Sequence, residues 1–523
     1  MGGASRPRSR YGRWRAVTLT AVYVLAAIHF AHWWLAGRTL APLELNEVLH
    51  TLHLGIVTAG FLFMAVVLLA TAVVGRFFCS WACHILALQD LAAWLLDRIG
   101  IHPKPLRSRA LAWVPFATMA YLFIWPQVAR IAAGEPAPTL RIVSGTAGWT
   151  SFVTDDMWRN LPSPGMALLT FAVCGFVIVY VLGSRSFCYA VCPYGVLFGA
   201  ADRVAPGRIT AVGDCRGCGI CTATCQSQIR VHEEIARHGT VVDPRCLRDL
   251  DCVSVCPDGT LRFGFTRPTL FRSWDALRGT RRRPAFSTGE DVALALLVLV
   301  ALPAFRGLYD AVPLLLAVAL AVLFAVAVVF GWRLVRQPRL AFNTVVLKSG
   351  GRLSRAGVGF ATGVALFAAF AAHSALMNWH GFRAEQSLRA LSARGGVAPG
   401  TVPDEARDAL AHLRVVDAWG LARSPNLHQR LASLSLVTGD LDAARAHLDA
   451  LLAARPDEAA ARLRLGQVLA QLGRFDDAAR ELTRLAGAGP ETLGQHGAEI
   501  RDVATATLAR LPAAAHARRD DAP

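Results

Sequence analysis

Most of the twelve cysteines in this 523-residue chain fall in tight groups, at positions 79 to 83, 188 to 192, 215 to 225 and 252 to 256, with Cys246 just ahead of the last. Thiols grouped in this way point to metal or redox chemistry, and they are too few for a disulfide-dense scaffold of this length. Residues 215 to 225 read Cys-x2-Cys-x2-Cys-x3-Cys, with Cys215, Cys218, Cys221 and Cys225. That spacing wraps three thiolates around one iron–sulfur cubane and sends the fourth to a second cluster. A partner segment, CLRDLDCVSVCP, places Cys246, Cys252 and Cys256 at relative positions 1, 7 and 11, but position 4 is Asp249. A carboxylate is a harder and weaker ligand for this iron than a thiolate. The fourth corner is therefore either bound through oxygen or open, which would leave a three-iron cluster. Zinc competes for closely spaced thiolates, yet zinc ribbons present two Cys-x2-Cys pairs and not this doubled spacing.

A second set of motifs repeats with a shift of 109 residues: RFFCSWAC at 76 to 83 matches RSFCYAVC at 185 to 192, pairing Arg76 with Arg185, Cys79 with Cys188 and Cys83 with Cys192. Cys-x3-Cys on a helix puts both sulfurs on one face, one turn apart. If the two hairpins face each other, Cys79, Cys83, Cys188 and Cys192 converge. They suit copper or another soft metal, dithiol cycling, or packing as small apolar residues; a metal or redox role is the expectation. Cys174, alone in an apolar run, reads as core. His29 and His32, and His50 and His53, sit near the ends of two consecutive apolar runs, where ionisable groups are costly without partners. Haem b, quinol or copper binding would fit them, as would hydrogen bonding at the headgroup level. His373, Met377 and His380 form a similar set. No catalytic acid, base or nucleophile is expected, and no Walker-type cradle or hydrolytic triad is visible.

These groups need elements to hold them. The chain is 54% hydrophobic and 17% charged, with a mean hydropathy of +0.40, too apolar for an ordinary soluble protein of this size. Apolar runs near 16 to 36, 54 to 75, 111 to 128, 165 to 183, 291 to 306, 312 to 331 and 356 to 377 suggest about seven membrane spans. The fifth is short and contains Pro303. The net charge of +17 comes almost wholly from arginine, and Lys plus Arg split 31 to 5 between alternate connecting segments. By the positive-inside rule the N-terminus and the Cys-rich insert are cytoplasmic, and an odd number of spans puts the C-terminal region in the periplasm of a bacterial inner membrane. Scattered arginines without aromatic interleaving exclude a nucleic-acid partner. Beyond residue 383 a 34-residue echo appears, in which Gly439 recurs as Gly473, Ala444 as Ala478, Leu448 as Leu482 and Pro456 as Pro490.

That echo resembles the tetratricopeptide repeat, a helix pair that usually binds protein partners. The insert resembles a bacterial two-cluster ferredoxin. The resemblance implies that Cys215, Cys218, Cys221 and Cys256 hold cluster one, a 4Fe-4S cluster. Cluster two would be held by Cys225, Cys246 and Cys252, with Asp249 at the unusual corner, as an Asp-ligated 4Fe-4S or a 3Fe-4S cluster. Residues 20 to 265 are similar to the membrane-bound polyferredoxins of the NapH, NosR and CcoG type, which carry two Cys-x3-Cys-Pro motifs ahead of such a ferredoxin. CPYG at 192 to 195 fits, while the first copy departs, with His84 and Leu86 in place of Pro and Gly.

The expected architecture is mainly α: a polytopic helical membrane protein with an inserted ferredoxin-like α+β domain and an all-α repeat domain. Its divisions are residues 1–200, a membrane domain with the two hairpin repeats; 201–270, the insert; 271–382, three further spans; 383–515, the repeats; and 516–523, a disordered tail. The expected function is iron–sulfur electron transfer between quinol or a cytoplasmic donor and a periplasmic partner docked by the repeats. The alternative is a copper-handling or copper-reducing assembly factor for a respiratory metalloenzyme.

Overall fold

The computed structural model describes residues 9–43, 47–144, 150–155, 157, 163–272, 284–393, 402–489, 493 and 496–512. Pro490 and the tail 516–523 lie outside the described residues. The chain is mainly α-helical and divides into two compact units, Met1–Leu302 with Pro313–Ala368, and Pro303–Val312 with Ala369–Pro523.

Among the described residues six helices are long and apolar enough to cross a membrane: Arg10–Ala36, Leu111–Ala132, Pro164–Leu182, Thr288–Phe305, Leu314–Arg336 and Arg355–Ala393. The run expected to form the second span, 54 to 75, instead gives a helix of 16 residues, Ala59–Val74. At 1.5 Å per residue it is about 24 Å long, short of a hydrocarbon core of roughly 30 Å. The expected seven spans are therefore six long helices and one short one. The cause is local. Gly55 takes φ +71°, and a Cβ there would lie 2.1 Å from the Thr139 carbonyl oxygen; Ile56 then bridges to Arg141 as strand. The helix restarts only at Thr58, whose hydroxyl accepts from the Phe61 N–H.

The helices leading into the two Cys-x3-Cys motifs stop in the same manner. Ala59–Val74 ends at Gly75 (φ +81°) and Pro164–Leu182 at Gly183 (φ +96°), conformations that cost a Cβ-bearing residue dearly. Between residues 207 and 265 two antiparallel strands, Gly207–Ala211 and Leu261–Phe265, pair from Gly207↔Phe265 to Ala211↔Leu261. They enclose the short helices Ile220–Thr224, Val231–His238 and Asp251–Ser254, the α+β insert. A three-stranded meander, Leu340–Phe342, Val345–Ser349 and Arg352–Leu353, follows Leu314–Arg336 and was not signalled by the apolar pattern.

In the second unit, the Asn378 side chain donates to the carbonyls of Pro303, Ala304 and Arg306, satisfying the end of a helix that contains Pro303. Successive helix pairs then run from Asp404–Trp419 to Gly497–Ala509. The 34-residue echo is a packing echo: Ala444 and Ala478 are wholly buried, as are Leu448 and Leu482. Gly439 and Gly473 close their helices at positive φ. Gly466 lets the facing helix approach, since a Cβ there would lie 2.7 Å from Leu482 Cγ. Leu482→Ala is expected to cost the repeat region about 2–5 kcal/mol, read as a lowered melting temperature by circular dichroism of the full chain. Exposed Arg480→Ala should change it by under about 1 kcal/mol.

Candidate functional site

All twelve cysteines are free thiols. In the insert, Cys221, Cys246 and Cys252 are buried with Ile209, Ile229, Val231, Ile235, Val241 and Leu261, and Cys215, Cys225 and Cys256 pack against that core. Cys218 is exposed. Cys221 lies in the field of Cys215 and Cys218, whereas Cys225, Cys246 and Cys252 lie in the field of Asp249. Burial pushes the Cys221, Cys225, Cys246 and Cys252 thiols up. A bare thiolate is costly in such a core, and bound iron is the compensating charge that a set of buried thiols fits.

The four hairpin cysteines also come together. Cys79 is buried with Met64, Leu86, Tyr194, Phe198 and Leu247, and Cys83, Cys188 and Cys192 pack against the same core. Cys79 sits within the helix Phe77–Trp81 and Cys83 caps the helix His84–Arg98. Cys188 sits within Phe187–Ala190, and Cys192 precedes Pro193, the cap of Tyr194–Val204. Gly195 is required here, because a Cβ would lie 2.5 Å from the Cys188 carbonyl oxygen. In the first copy the matching Leu86 is instead wholly buried in the shared core.

Leu247 joins the two thiol sites. It follows Cys246 in the chain, yet its side chain belongs to the core of the four hairpin cysteines. Ser80 Oγ donates to the Leu247 carbonyl at 2.7 Å, and Trp81 Nε1 to the Arg248 carbonyl at 3.1 Å. Arg76 donates to the Pro244 carbonyl at 3.2 Å. Arg185, its counterpart in the second copy, forms a short buried ion pair with Asp249. Around that pair Arg15 binds Asp90 at 3.0 Å and Asp251 at 2.9 Å, and Arg185 lies 3.6 Å from Asp90. Burial alone would raise the Asp249 carboxyl, but Arg185 and Arg15 outweigh it and hold the group below the usual carboxylate range. Burial and the neighbouring Asp249 push Asp251 up.

The 4Fe-4S binding domain family matches residues 56–102 and 164–210, the two hairpins with their cysteine pairs, and the tetratricopeptide repeat family matches residues 430–491. The chain thus carries 4Fe-4S-type hairpins and tetratricopeptide repeats, a combination that makes it similar to polyferredoxin-type proteins. It is similar to the methylamine utilization ferredoxin-type protein MauN of Methylobacillus flagellatus, 29% identical over 29% of this chain and 48% of that protein. The MauN of Methylorubrum extorquens is 24% identical over 43% of this chain and 78% of its own length. The ferredoxin-type protein NapH of Haemophilus influenzae is 23% identical over 38% and 66%. The chain thus spans about half the length of the first of these relatives. No solved structure matches it.

The histidines are placed differently from the thiols. His29 Nε2 meets the Leu40 carbonyl at 2.9 Å and His32 Nδ1 the Thr39 hydroxyl at 3.0 Å, tying the end of the first helix to a short strand. His53 is exposed and His50 half-buried. Among the described residues no three Cys, His, Asp or Glu side chains close on a single ion. His373 meets the Tyr309 hydroxyl, His380 meets His412, and Met377 is core. Sequence reasoning missed the ion network around Arg185 and Asp249, whereas Cys174 is buried core, as expected. Arg185→Met, which takes the guanidinium from the buried Asp249, is expected to destabilise the insert against the helices by about 3–5 kcal/mol, measured by thermal unfolding and protease sensitivity. Arg216→Ala, in an exposed pair with Asp258, should cost under about 1 kcal/mol.

Proposed function

We propose that this membrane protein carries single electrons through the insert to a third redox centre held by Cys79, Cys83, Cys188 and Cys192. Cluster one is assigned to Cys215, Cys218, Cys221 and Cys256, and cluster two to Cys225, Cys246 and Cys252. The observation that carries the reading is Leu247, packed among the hairpin cysteines while its neighbour Cys246 belongs to the cysteine core of the insert. Iron–sulfur clusters bound at these thiols supply outer-sphere electron transfer, with no acid or base required. The chain's own part is to exclude water, to fix the two thiol sites against each other through Ser80, Trp81 and Arg76, and to set the local field with Arg185. A third iron–sulfur centre at the hairpins is supported by the 4Fe-4S family match, which falls on those hairpins.

Asp249 accepts from Arg185 and from the Asp251 N–H. A carboxylate already committed to a guanidinium is a poor ligand, which favours an open corner and a three-iron cluster two. Quinol or a cytoplasmic carrier is the proposed donor, and a periplasmic protein held by the repeats the proposed acceptor. The 31 to 5 split of basic residues supports a cytoplasmic insert. The repeats lie on the opposite side of a bacterial inner membrane if Ala59–Val74 crosses with the six long helices.

Anaerobically purified full-length protein is expected to give a three-iron spin-resonance signal from cluster two, and Asp249→Cys to convert it to a four-iron signal. An unchanged three-iron signal in the variant sinks the placement at the open corner. Replacing Cys79 and Cys188 by Ser should remove one cluster's worth of iron while sparing the signals of the insert. Copper at the hairpin cysteines in place of iron would instead support the copper-handling alternative.

A further inference from the structure

Within the second unit, histidines meet ring to ring across neighbouring helices at two places. His428 Nδ1 lies 3.2 Å from His447 Nδ1, and His380 Nδ1 lies 2.8 Å from His412 Nδ1. The repeat accounts for the first of these contacts. Shifted by 34 residues, His428 and His447 become Arg462 and Glu481, which form an ion pair across the next two helices. That position asks for a complementary polar contact, and two neutral imidazoles sharing one proton supply it. His380 and His412 have no such counterpart. The same shift puts them on Arg414 and Ala446, and Arg414 reaches Asp440 instead.

The surroundings of His412 select which of its nitrogens carries the proton. Its Nε2 faces Asp408 Oδ1 at 3.7 Å, and the Ser387 hydroxyl holds that carboxylate in place by donating to Oδ2 at 2.6 Å. A carboxylate so placed keeps hydrogen on Nε2 and the lone pair on Nδ1, the arrangement that orients imidazoles toward metals. His380 then donates into that lone pair. Loss of this single proton leaves two nitrogen lone pairs beside one space. Their separation favours one coordination geometry. At a metal–nitrogen bond of about 2.0 Å, nitrogens 2.8 Å apart subtend about 90° at an ion. A tetrahedral ion would hold them about 3.3 Å apart. The right angle belongs to tetragonal Cu(II) or Ni(II), and of the divalent first-row ions Cu(II) binds nitrogen donors most strongly. The Asp408 side chain is 45% exposed and that of His412 16%, so the pair is open to an ion from solvent.

We propose that His380 and His412 form a site for a tetragonal divalent metal ion, Cu(II) above the others, with water completing its coordination. Two protein ligands make the site weak and exchangeable. It uses none of the thiols assigned to the insert and the hairpins.

The test titrates full-length protein, its clusters in place, with up to one equivalent of Cu(II) under argon and records spin-resonance spectra. Wild type is expected to give a tetragonal copper signal split by two nitrogens. It should also show quenching of Trp379, whose ring lies 5.0 Å from that of His380 and 5.6 Å from that of His412, and that quenching should vanish in Trp379→Phe. His380→Gln and His412→Gln, on different helices, should each abolish the two-nitrogen signal, while copper held by thiols is common to all samples and drops out of the difference spectrum. Asp408→Asn should weaken binding about tenfold and keep the two-nitrogen pattern. His428→Gln should change nothing. A copper signal that persists in both His380→Gln and His412→Gln, with melting curves unchanged, would overturn the proposal, as would one that is lost in His428→Gln.

Discussion

Five charges, four of them buried and Asp90 half-buried, hold the insert to the membrane helices: Arg15 from the first helix, Asp90 from His84–Arg98, Arg185 from the turn before the second cysteine pair, and Asp249 and Asp251 from the insert. The effective penalty for burying one ion is several kcal/mol, repaid only when its partners are in place. Each of these groups is therefore tolerable only if the other elements have arrived. The network acts as a register lock among four segments distant in sequence, and Ser9 extends it by donating to Asp251 at 2.6 Å and capping the first helix. With two guanidinium groups against three carboxylates the lock carries one negative charge in excess. The upward push on Asp251 from burial and from Asp249 is the expression of that excess.

Next to it sits a network of opposite balance. Asp202 lies between Arg208 and Arg248, all wholly buried, and Arg248 precedes Asp249 in the chain. The two networks thus meet at one peptide bond, between a cation committed to the membrane side of the insert and an anion committed to Arg185. This arrangement explains why a ferredoxin-like motif can carry aspartate where a thiolate is usual. The residue at 249 stands where the insert touches the helix bundle, and a charge that pairs with Arg185 serves docking in a way that a thiolate bound to iron does not.

The two groupings of cysteines were legible because their spacing is a local code. Cys-x2-Cys-x2-Cys-x3-Cys and the shifted Cys-x3-Cys pairs can be read without knowing the fold, and the 34-residue echo shows in the buried positions of Ala444, Ala478, Leu448 and Leu482. The shortness of the second apolar helix was not legible because hydropathy does not register a backbone conformation, and the break at Gly55 depends on the distant Thr139 carbonyl. The ion network was invisible for a related reason. Arg15, Asp90 and Asp249 are separated by 75 and 159 positions, and nothing in the local pattern distinguishes a buried arginine from one of the many basic residues that set membrane orientation.

The internal repeat explains how four thiols and two networks share so little space. Both copies place an arginine three residues ahead of their first cysteine, and both grip the segment 244–249, but by different means. The first copy uses Arg76, Ser80 and Trp81, all donating to main-chain carbonyls, so it is indifferent to which side chains the insert carries there. The second uses the Arg185 ion pair and depends on Asp249. At the positions matching Ser80 and Trp81 it has Tyr189, whose hydroxyl turns away to the Leu106 carbonyl, and the buried Ala190. One copy supplies geometry and the other supplies charge. A symmetric pair could not do both, because two ion pairs would bury further charge beside the cysteines, and two sets of carbonyl contacts would leave Asp249 without a partner.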